Sequence, residues 1–169
     1  MTDLTTRAAA VELLALDVDG VLTDGRLWLG DDGAEYKSFH VRDGHGLVAL
    51  ARAGVTLAVI SGRRSSAVDR RMAELGIVHV HQGIGDKPAV LTELLGRAGI
   101  TAEQVAFVGD DEPDLPVMRM VGLPIAVADA HPLARAAAAW VTTLPGGRGA
   151  VREACDLILE ARRSRAEQP

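Results

Sequence analysis

Asp17 and Asp19 stand two residues apart where the apolar run Leu13–Asp17 gives way to Gly20. Two carboxylates so spaced at a strand end can share a hard divalent cation, one through its side chain and the other through its backbone carbonyl. The same residues also make an ordinary polar turn. Three further positions weigh against the turn alone. Ser61 and Gly62 follow the apolar run Thr56–Ile60 and offer a hydroxyl and a glycine amide where a phosphate can dock. Gly109-Asp110-Asp111-Glu112-Pro113-Asp114 follows Val105–Val108, and such an acidic cluster repels itself unless a cation sits in it. Lys87 comes after Gly85-Asp86 near a helix start, where its charge opposes the helix dipole. All but two of the 18 basic residues are arginine, the exceptions being Lys37 and Lys87. Lys87 is therefore either a chance exposed lysine or a place that needs a compact point charge.

The elements that must position these residues alternate along the chain. Leu13–Asp17, Thr56–Ile60, Val78–His81, Val105–Val108 and Pro124–Ala128 read as short strands, mostly apolar on both faces as in buried parallel sheets. Helices are expected over Gly46–Arg52, Ser65–Leu75, Pro88–Ala98, Leu115–Met120, Leu133–Ala139 and Gly149–Ala161, several stopped by Gly54, Gly76, Gly99 or Gly122. This alternation predicts an α/β fold, a three-layer Rossmann-like doubly wound parallel sheet with right-handed crossovers, whose ligands bind beyond the carboxyl ends of the strands. One segment breaks the rhythm. Leu27–Leu29 and Glu35–His40 flank Gly30-Asp31-Asp32-Gly33, the signature of a β-hairpin, which should project from the active edge as a flap over about residues 25–40. No insertion is long enough for a cap domain, so one domain with a core over about residues 11–161 is expected. Met1 to about Ala9 and Arg163 to Pro169 read as disordered ends.

Composition narrows the function. A formal charge of −5 argues against broad attraction to nucleic acid, and 3% aromatic residues are too few for base-stacking platforms. A single cysteine, Cys155, excludes an internal disulfide or a cysteine-cluster metal site and reads as a small buried hydrophobe. His79 and His81 alternate on a strand without a third ligand nearby, so a metal site there is not expected. His45 and His131 read as structural residues beside loops or caps. Arg162-Arg163-Ser164-Arg165 reads as a short solvated tail. No apolar run approaches the ~20 residues of a membrane span, and Met1 to Arg7 lacks a basic, apolar leader pattern. A cytoplasmic location is the expectation.

Four ordered strand ends carrying Asp17-x-Asp19, Ser61, Lys87 and Gly109-Asp110-x-x-x-Asp114 resemble the four motifs of the haloacid dehalogenase-like phosphohydrolases, over roughly residues 11–161. The resemblance is closer still to the capless phosphatases of the 3-deoxy-D-manno-octulosonate 8-phosphate type, through Asp17–Gly25, Val41–Gly44, Val127–Pro132 and Gly146–Cys155. It implies a Mg²⁺-dependent phosphomonoesterase working through an aspartyl-phosphate. Asp17 would be the nucleophile and Asp19 the acid and then the base. Mg²⁺ would be held by Asp17, the Asp19 carbonyl and Asp110, with Asp111 and Asp114 orienting its waters and Lys87. Ser61, Gly62 and Lys87 would bind the transferring phosphoryl group.

Further positions are implied to contact an acid-sugar phosphate: Asp19, His40, Val41, Arg42, Asp43, Gly44, Val48, Arg63, Arg71 and Arg148. Arginine's planar fork suits the substrate carboxylate. Arg71 also reads as part of a solvated helix face, and Arg148 equally as an ordinary loop arginine. Val48 stands where the family commonly has arginine, and the position of His40 is often asparagine. A nine-carbon acid-sugar phosphate, or another sugar phosphate, is therefore an alternative substrate. The resemblance also implies a homotetramer in which the flaps meet around an axis and touch neighbouring active sites, with Trp28 as a buried anchor. Two other classes stay open. One is a non-catalytic oligomerisation module like those fused to cytidylyltransferases, the other a phosphoacceptor resembling response regulators.

Overall fold

The computed structural model describes residues 3–167. At its centre four apolar residues, Leu13–Leu16, form β1 with every side chain buried, as a strand covered on both faces requires. β1 pairs in parallel with β4 (Thr56–Ser61) on one side and β6 (Val105–Gly109) on the other, in register Leu13↔Thr56 and Leu13↔Val105. β5 (His79–Gln82), β7 (Leu123–Ala126) and β8 (Trp140–Val141) extend the sheet to the parallel order β5-β4-β1-β6-β7-β8. This is the doubly wound order expected, with the reversal of direction at β1.

Right-handed crossovers then place α2 (Val41–Arg52) and α3 (Ser66–Glu74) on one face and α4 (Lys87–Ala98), α5 (Leu115–Met118) and α6 (Pro132–Ala137) on the other. The closing helix α7 (Ala150–Ala166) packs on α2 and on α1 (Leu4–Ala9). Between β1 and α2 the hairpin strands β2 (Trp28–Leu29) and β3 (Glu35–Tyr36) pair antiparallel, closed by the Gly30 amide on the Ala34 carbonyl at 2.8 Å and by Gly33 at φ +80°.

Several expectations change. Helix α2 starts at Val41, five residues before Gly46, because the His40 imidazole accepts the Arg42 amide at 3.2 Å and caps it. Gly44 and Gly46 lowered its apparent helix propensity, yet both are needed for packing. A Cβ at Gly44 would collide with the Arg71 guanidinium, and one at Gly46 would lie 2.9 Å from Arg152 Cδ. β7 ends at Ala126 rather than Ala128, since the Ala128 amide turns to Thr142 Oγ1 at 3.0 Å.

The described parts of the ends expected to be disordered are ordered. Ala8 and Ala9 are buried, and Arg7 Nε donates to the Gly122 carbonyl at 2.5 Å. The arginines expected as a solvated tail continue α7: Arg162 donates to the Val11 carbonyl and meets Glu12 at 3.0 Å, and Arg165 donates to the Ala9 carbonyl. Residues 1–2 and 168–169 of those ends lie outside the described ones. Cys155 is fully buried, as expected, and burial pushes its thiol pKa up.

Candidate active site

The chemical groups gather at the carboxyl ends of the parallel strands: Asp17 just past β1, Ser61 closing β4, Asp110 just past β6, and Lys87 opening the helix that follows β5. The Asp17 amide continues the β1 ladder onto the Val108 carbonyl at 3.0 Å, so the carboxylate inherits the rigidity of the central strand although β1 itself ends at Leu16. The chain then folds back on itself. The amides of Val21, Leu22 and Thr23 all point to the Val18 carbonyl, and Thr23 Oγ1 accepts the Gly25 amide at 3.2 Å. Gly20, at φ +91°, has no alternative residue, because a Cβ there would collide with the Asp110 carboxylate. Gly109 is equally constrained: a Cβ would lie 2.7 Å from the Asp114 side chain.

These turns deliver Asp17, Asp19, Ser61, Gly62, Arg63, Lys87, Asp110, Asp111 and Asp114 to one open pocket of about 280 Å³. Carboxylate oxygens of Asp17, Asp110 and Asp114 lie within 4.8 Å of one another. Lys87 Nζ reaches Asp17 Oδ1 at 2.9 Å and Asp114 Oδ1 at 2.7 Å, so the lysine is an ion-paired group of the site and only 5% exposed. Asp114 Oδ2 accepts the Asp110 amide at 2.9 Å and the Asp111 amide at 3.4 Å. Both oxygens of Asp114 are thus engaged, while Asp17 and Asp110 keep oxygens free.

One ammonium cannot balance this cluster. Burial, with Asp114 adding to it against Lys87, raises the Asp17 pKa to about 6. Burial and the charges of Asp17, Asp114 and Asp111 push Asp110 up to about 8. Burial would depress Lys87, but Asp17 and Asp114 outweigh it and hold its pKa above the usual value. Carboxylates strained in this way fit a hard divalent ion with oxygen ligands, which would relieve the repulsion. Among the described residues, Asp17, Asp110 and Asp114 offer carboxylate oxygens close enough together to hold it.

The implied substrate residues divide. Gly62 and Arg63 line the pocket beside Asp19. Val41, Gly44, Val48 and Arg71 instead line a separate hollow of about 490 Å³ between α2 and α3, together with the exposed His45. The two hollows share no lining residue. Arg71 lies against Gly44 and pairs with Glu74 at 3.2 Å. Asp43 is 1% exposed and accepts the Arg152 amide at 2.8 Å, which pins α2 to α7, and burial raises its pKa. Arg42 is exposed on the first turn of α2, and Arg148 is exposed in the loop before α7. That loop does approach the catalytic turn, since the Gly147 amide donates to the Val21 carbonyl at 2.9 Å. His131 caps α6 by accepting the Leu133 amide, a structural role as expected. Trp28, expected as a buried anchor, is 57% exposed in the single chain, beside Tyr36 at 61%.

Sequence reasoning missed one group. Lys37, whose side chain is 1% exposed, pairs with Asp19 Oδ1 and with Glu35 Oε1 at 3.3 Å. The only signal for it was its rarity as a lysine.

Comparison with known proteins agrees with this geometry. Residues 76–149 match the model of the haloacid dehalogenase-like hydrolases. The 3-deoxy-D-manno-octulosonate 8-phosphate phosphatase of Salmonella typhi is 50% identical over 160 residues, which are 95% of this chain and 85% of that protein. The chain belongs to the 3-deoxy-D-manno-octulosonate 8-phosphate phosphatase family. Family members superpose closely. The crystal structure of the Yersinia pestis phosphatase matches with a TM-score of 0.94 at 48% identity, over 97% of this chain and 89% of that one. The phosphatase of Moraxella catarrhalis, solved with magnesium, phosphate and KDO, matches with a TM-score of 0.94 at 44% identity, over 97% of this chain and 94% of that one. Among the described residues no helix is long and apolar enough to cross a membrane.

Proposed function

We propose that this protein is a Mg²⁺-dependent phosphomonoesterase that hydrolyses 3-deoxy-D-manno-octulosonate 8-phosphate in the cytoplasm, as a homotetramer. The observation that carries the reading is the convergence of Asp17, Lys87 and Asp110 in one pocket, on a fold shared with relatives of that named activity.

The Asp17 carboxylate, fixed beyond β1, attacks phosphorus while Asp19 gives a proton to the departing sugar oxygen. An aspartyl-phosphate and a free sugar acid result. Asp19 then takes a proton from water as that water attacks phosphorus, which releases phosphate and restores Asp17. The Ser61 hydroxyl and Gly62 amide hold phosphoryl oxygens, and Lys87, already 2.9 Å from Asp17, offsets the charge that gathers between carboxylate and phosphate. When bound by Asp17, Asp110 and the Asp19 carbonyl, magnesium supplies the positive charge that lets two anions meet.

Arg63, beside Asp19 and half exposed, suits the sugar acid. Val41, Gly44, Val48 and Arg71 lie off the catalytic pocket of their own chain, so on this reading they serve a substrate held by a neighbouring copy. The exposed Trp28, Leu29 and Tyr36 of the hairpin supply an apolar surface for that assembly. A purely scaffolding role leaves the buried acidic cluster without a reason, because repelling carboxylates cost stability.

The test is phosphate release by the full chain with Mg²⁺ across a panel of octulosonate 8-phosphate, nine-carbon acid-sugar phosphates and hexose phosphates, beside Asp17→Asn. Octulosonate 8-phosphate should give the highest kcat/KM, and Asp17→Asn should be inactive yet folded. Preference for a nine-carbon acid would move the substrate assignment, and turnover by Asp17→Asn would overturn the nucleophile.

A further inference from the structure

The hairpin carries two faces with different chemistry. Trp28 and Tyr36 pair across it and face solvent, whereas Glu35 and Lys37, on either side of Tyr36, turn the other way by the two-residue period of extended chain. Their charges close a ring with two groups of the catalytic pocket. Lys37 Nζ touches Asp19 Oδ1 and lies 3.3 Å from Glu35 Oε1. Arg63 joins Glu35 Oε2 at 2.6 Å and approaches Asp19 Oδ2 with Nε at 3.8 Å. The ring is neutral. Arg63 hydrogen bonding, ahead of the Lys37 contacts, lowers the Glu35 pKa, so the glutamate is a fixed anion in the ring.

We infer that Lys37 is a positioning residue for Asp19, holding Oδ1 so that Oδ2 is the oxygen that exchanges the proton with the departing sugar and with water. A lysine side chain 1% exposed is costly unless it is paired, and its partners are Asp19 and Glu35 alone among the described residues. Of the two oxygens of Asp19, Oδ1 is the one in close contact, and Oδ2 has only the long approach of a half-exposed arginine. Glu35 ties Lys37 to Arg63, so the hairpin sets the rotamer of a group that belongs to the loop after β1. The compact ammonium fits between two carboxylates where a planar guanidinium would demand two parallel acceptors. This inference rests on the proposed role of Asp19 as acid and then base, and it assigns hairpin residues to the reaction rather than to shape alone.

The experiment compares wild type and Lys37→Met on octulosonate 8-phosphate and on p-nitrophenyl phosphate, by stopped flow with Mg²⁺. A sugar alkoxide needs a proton to leave, whereas p-nitrophenolate leaves as a stable anion, and a positioned acid contributes roughly 10²–10⁴-fold. Lys37→Met should lower kcat for the sugar phosphate by about 10²-fold or more with KM little changed. On p-nitrophenyl phosphate it should release nitrophenolate in a burst of about one per site, followed by slow turnover, because water activation still needs a positioned Asp19. Lys37→Cys treated with bromoethylamine restores an ammonium at nearly the same reach, and the sole native thiol, Cys155, is buried and protected. The alkylated protein should regain sugar-phosphate turnover, and this arm decides the matter if Lys37→Met fails to fold. Wild-type sugar turnover in Lys37→Met, equal slowing of burst and steady state, or no recovery after alkylation overturns the inference. Inactivity of the wild type on both substrates would instead reject the proposed function.

Discussion

Lys87 and Asp114 are joined at 2.7 Å with both residues closed to solvent, at 5% and 1% exposure. The second oxygen of Asp114 is held by the Asp110 amide, so the ion pair couples the acidic turn after β6 to the first turn of α4. Lys87 is thereby aimed at Asp17 before any substrate arrives. The preorganisation is electrostatic as well as geometric.

Removing the ammonium should therefore cost both stability and turnover. Lys87→Met leaves Asp17, Asp110 and Asp114 facing one another without a cation. At pH 8 without metal the variant should lose about 3–5 kcal/mol of unfolding free energy, as when one partner of a buried pair is deleted. Urea denaturation at pH 8 and pH 5 checks this, with a smaller loss at pH 5, where Asp17 and Asp110 take up protons.

Asp110→Asn should move in the opposite sense. Its carboxyl is pushed up to about 8, so the ionised form destabilises the metal-free fold at that pH. The variant should melt roughly 5 °C higher than wild type in EDTA at pH 8, show no stabilisation by Mg²⁺, and have no measurable phosphatase activity. A melting point below that of wild type would show that the acidic cluster is not under repulsion.

The same shifts set a pH dependence. Asp17 and Asp110 stay protonated in the folded, metal-free protein up to about pH 6 and about pH 8, whereas in the unfolded chain they ionise near 3.8. The stability gained from these protons is complete below 3.8 and is lost as pH rises through 6 and then 8. Mg²⁺ competes with those protons, so its effect should run the other way. Calorimetry with and without 5–10 mM Mg²⁺, a concentration on the order of weak hard-ion sites, should give a larger upward shift at pH 8 than at pH 5. Equal shifts would exclude Asp17 and Asp110 as the ligands.

Assembly is tested on the outer face of the hairpin. Trp28→Ser combined with Tyr36→Ser removes exposed rings that pack against no buried core of their own chain. The melting temperature of the dissociated chain should change little, while sedimentation velocity should show a smaller species. An unchanged sedimentation coefficient would place the interface elsewhere.

Much of the site was legible because its signals are local. An apolar strand ending in Asp17, or in Gly109-Asp110, declares both the strand and the carboxylate that its end presents. Lys87 was legible through its conflict with the helix dipole. What stayed hidden depends on long-range pairing. Lys37 meets Asp19 only because the hairpin folds back 18 residues. The resemblance implied that Asp43 contacts substrate, yet the Arg152 amide that it accepts lies 109 residues away, and burial makes it a tie between helices. Strand β8, at two residues, is too short for periodicity to reveal. Helix α1 has too few apolar residues to stand alone and is ordered by α7.

Strand β1 is bonded on both flanks along its whole length, and the Asp17 amide extends that bonding one residue further. The reactive carboxylate therefore cannot travel toward a badly placed ester. An inhibitor that needs Asp17 to relocate will bind poorly, whereas one that wedges beneath the hairpin must part Lys37 from Asp19 and Glu35 from Arg63.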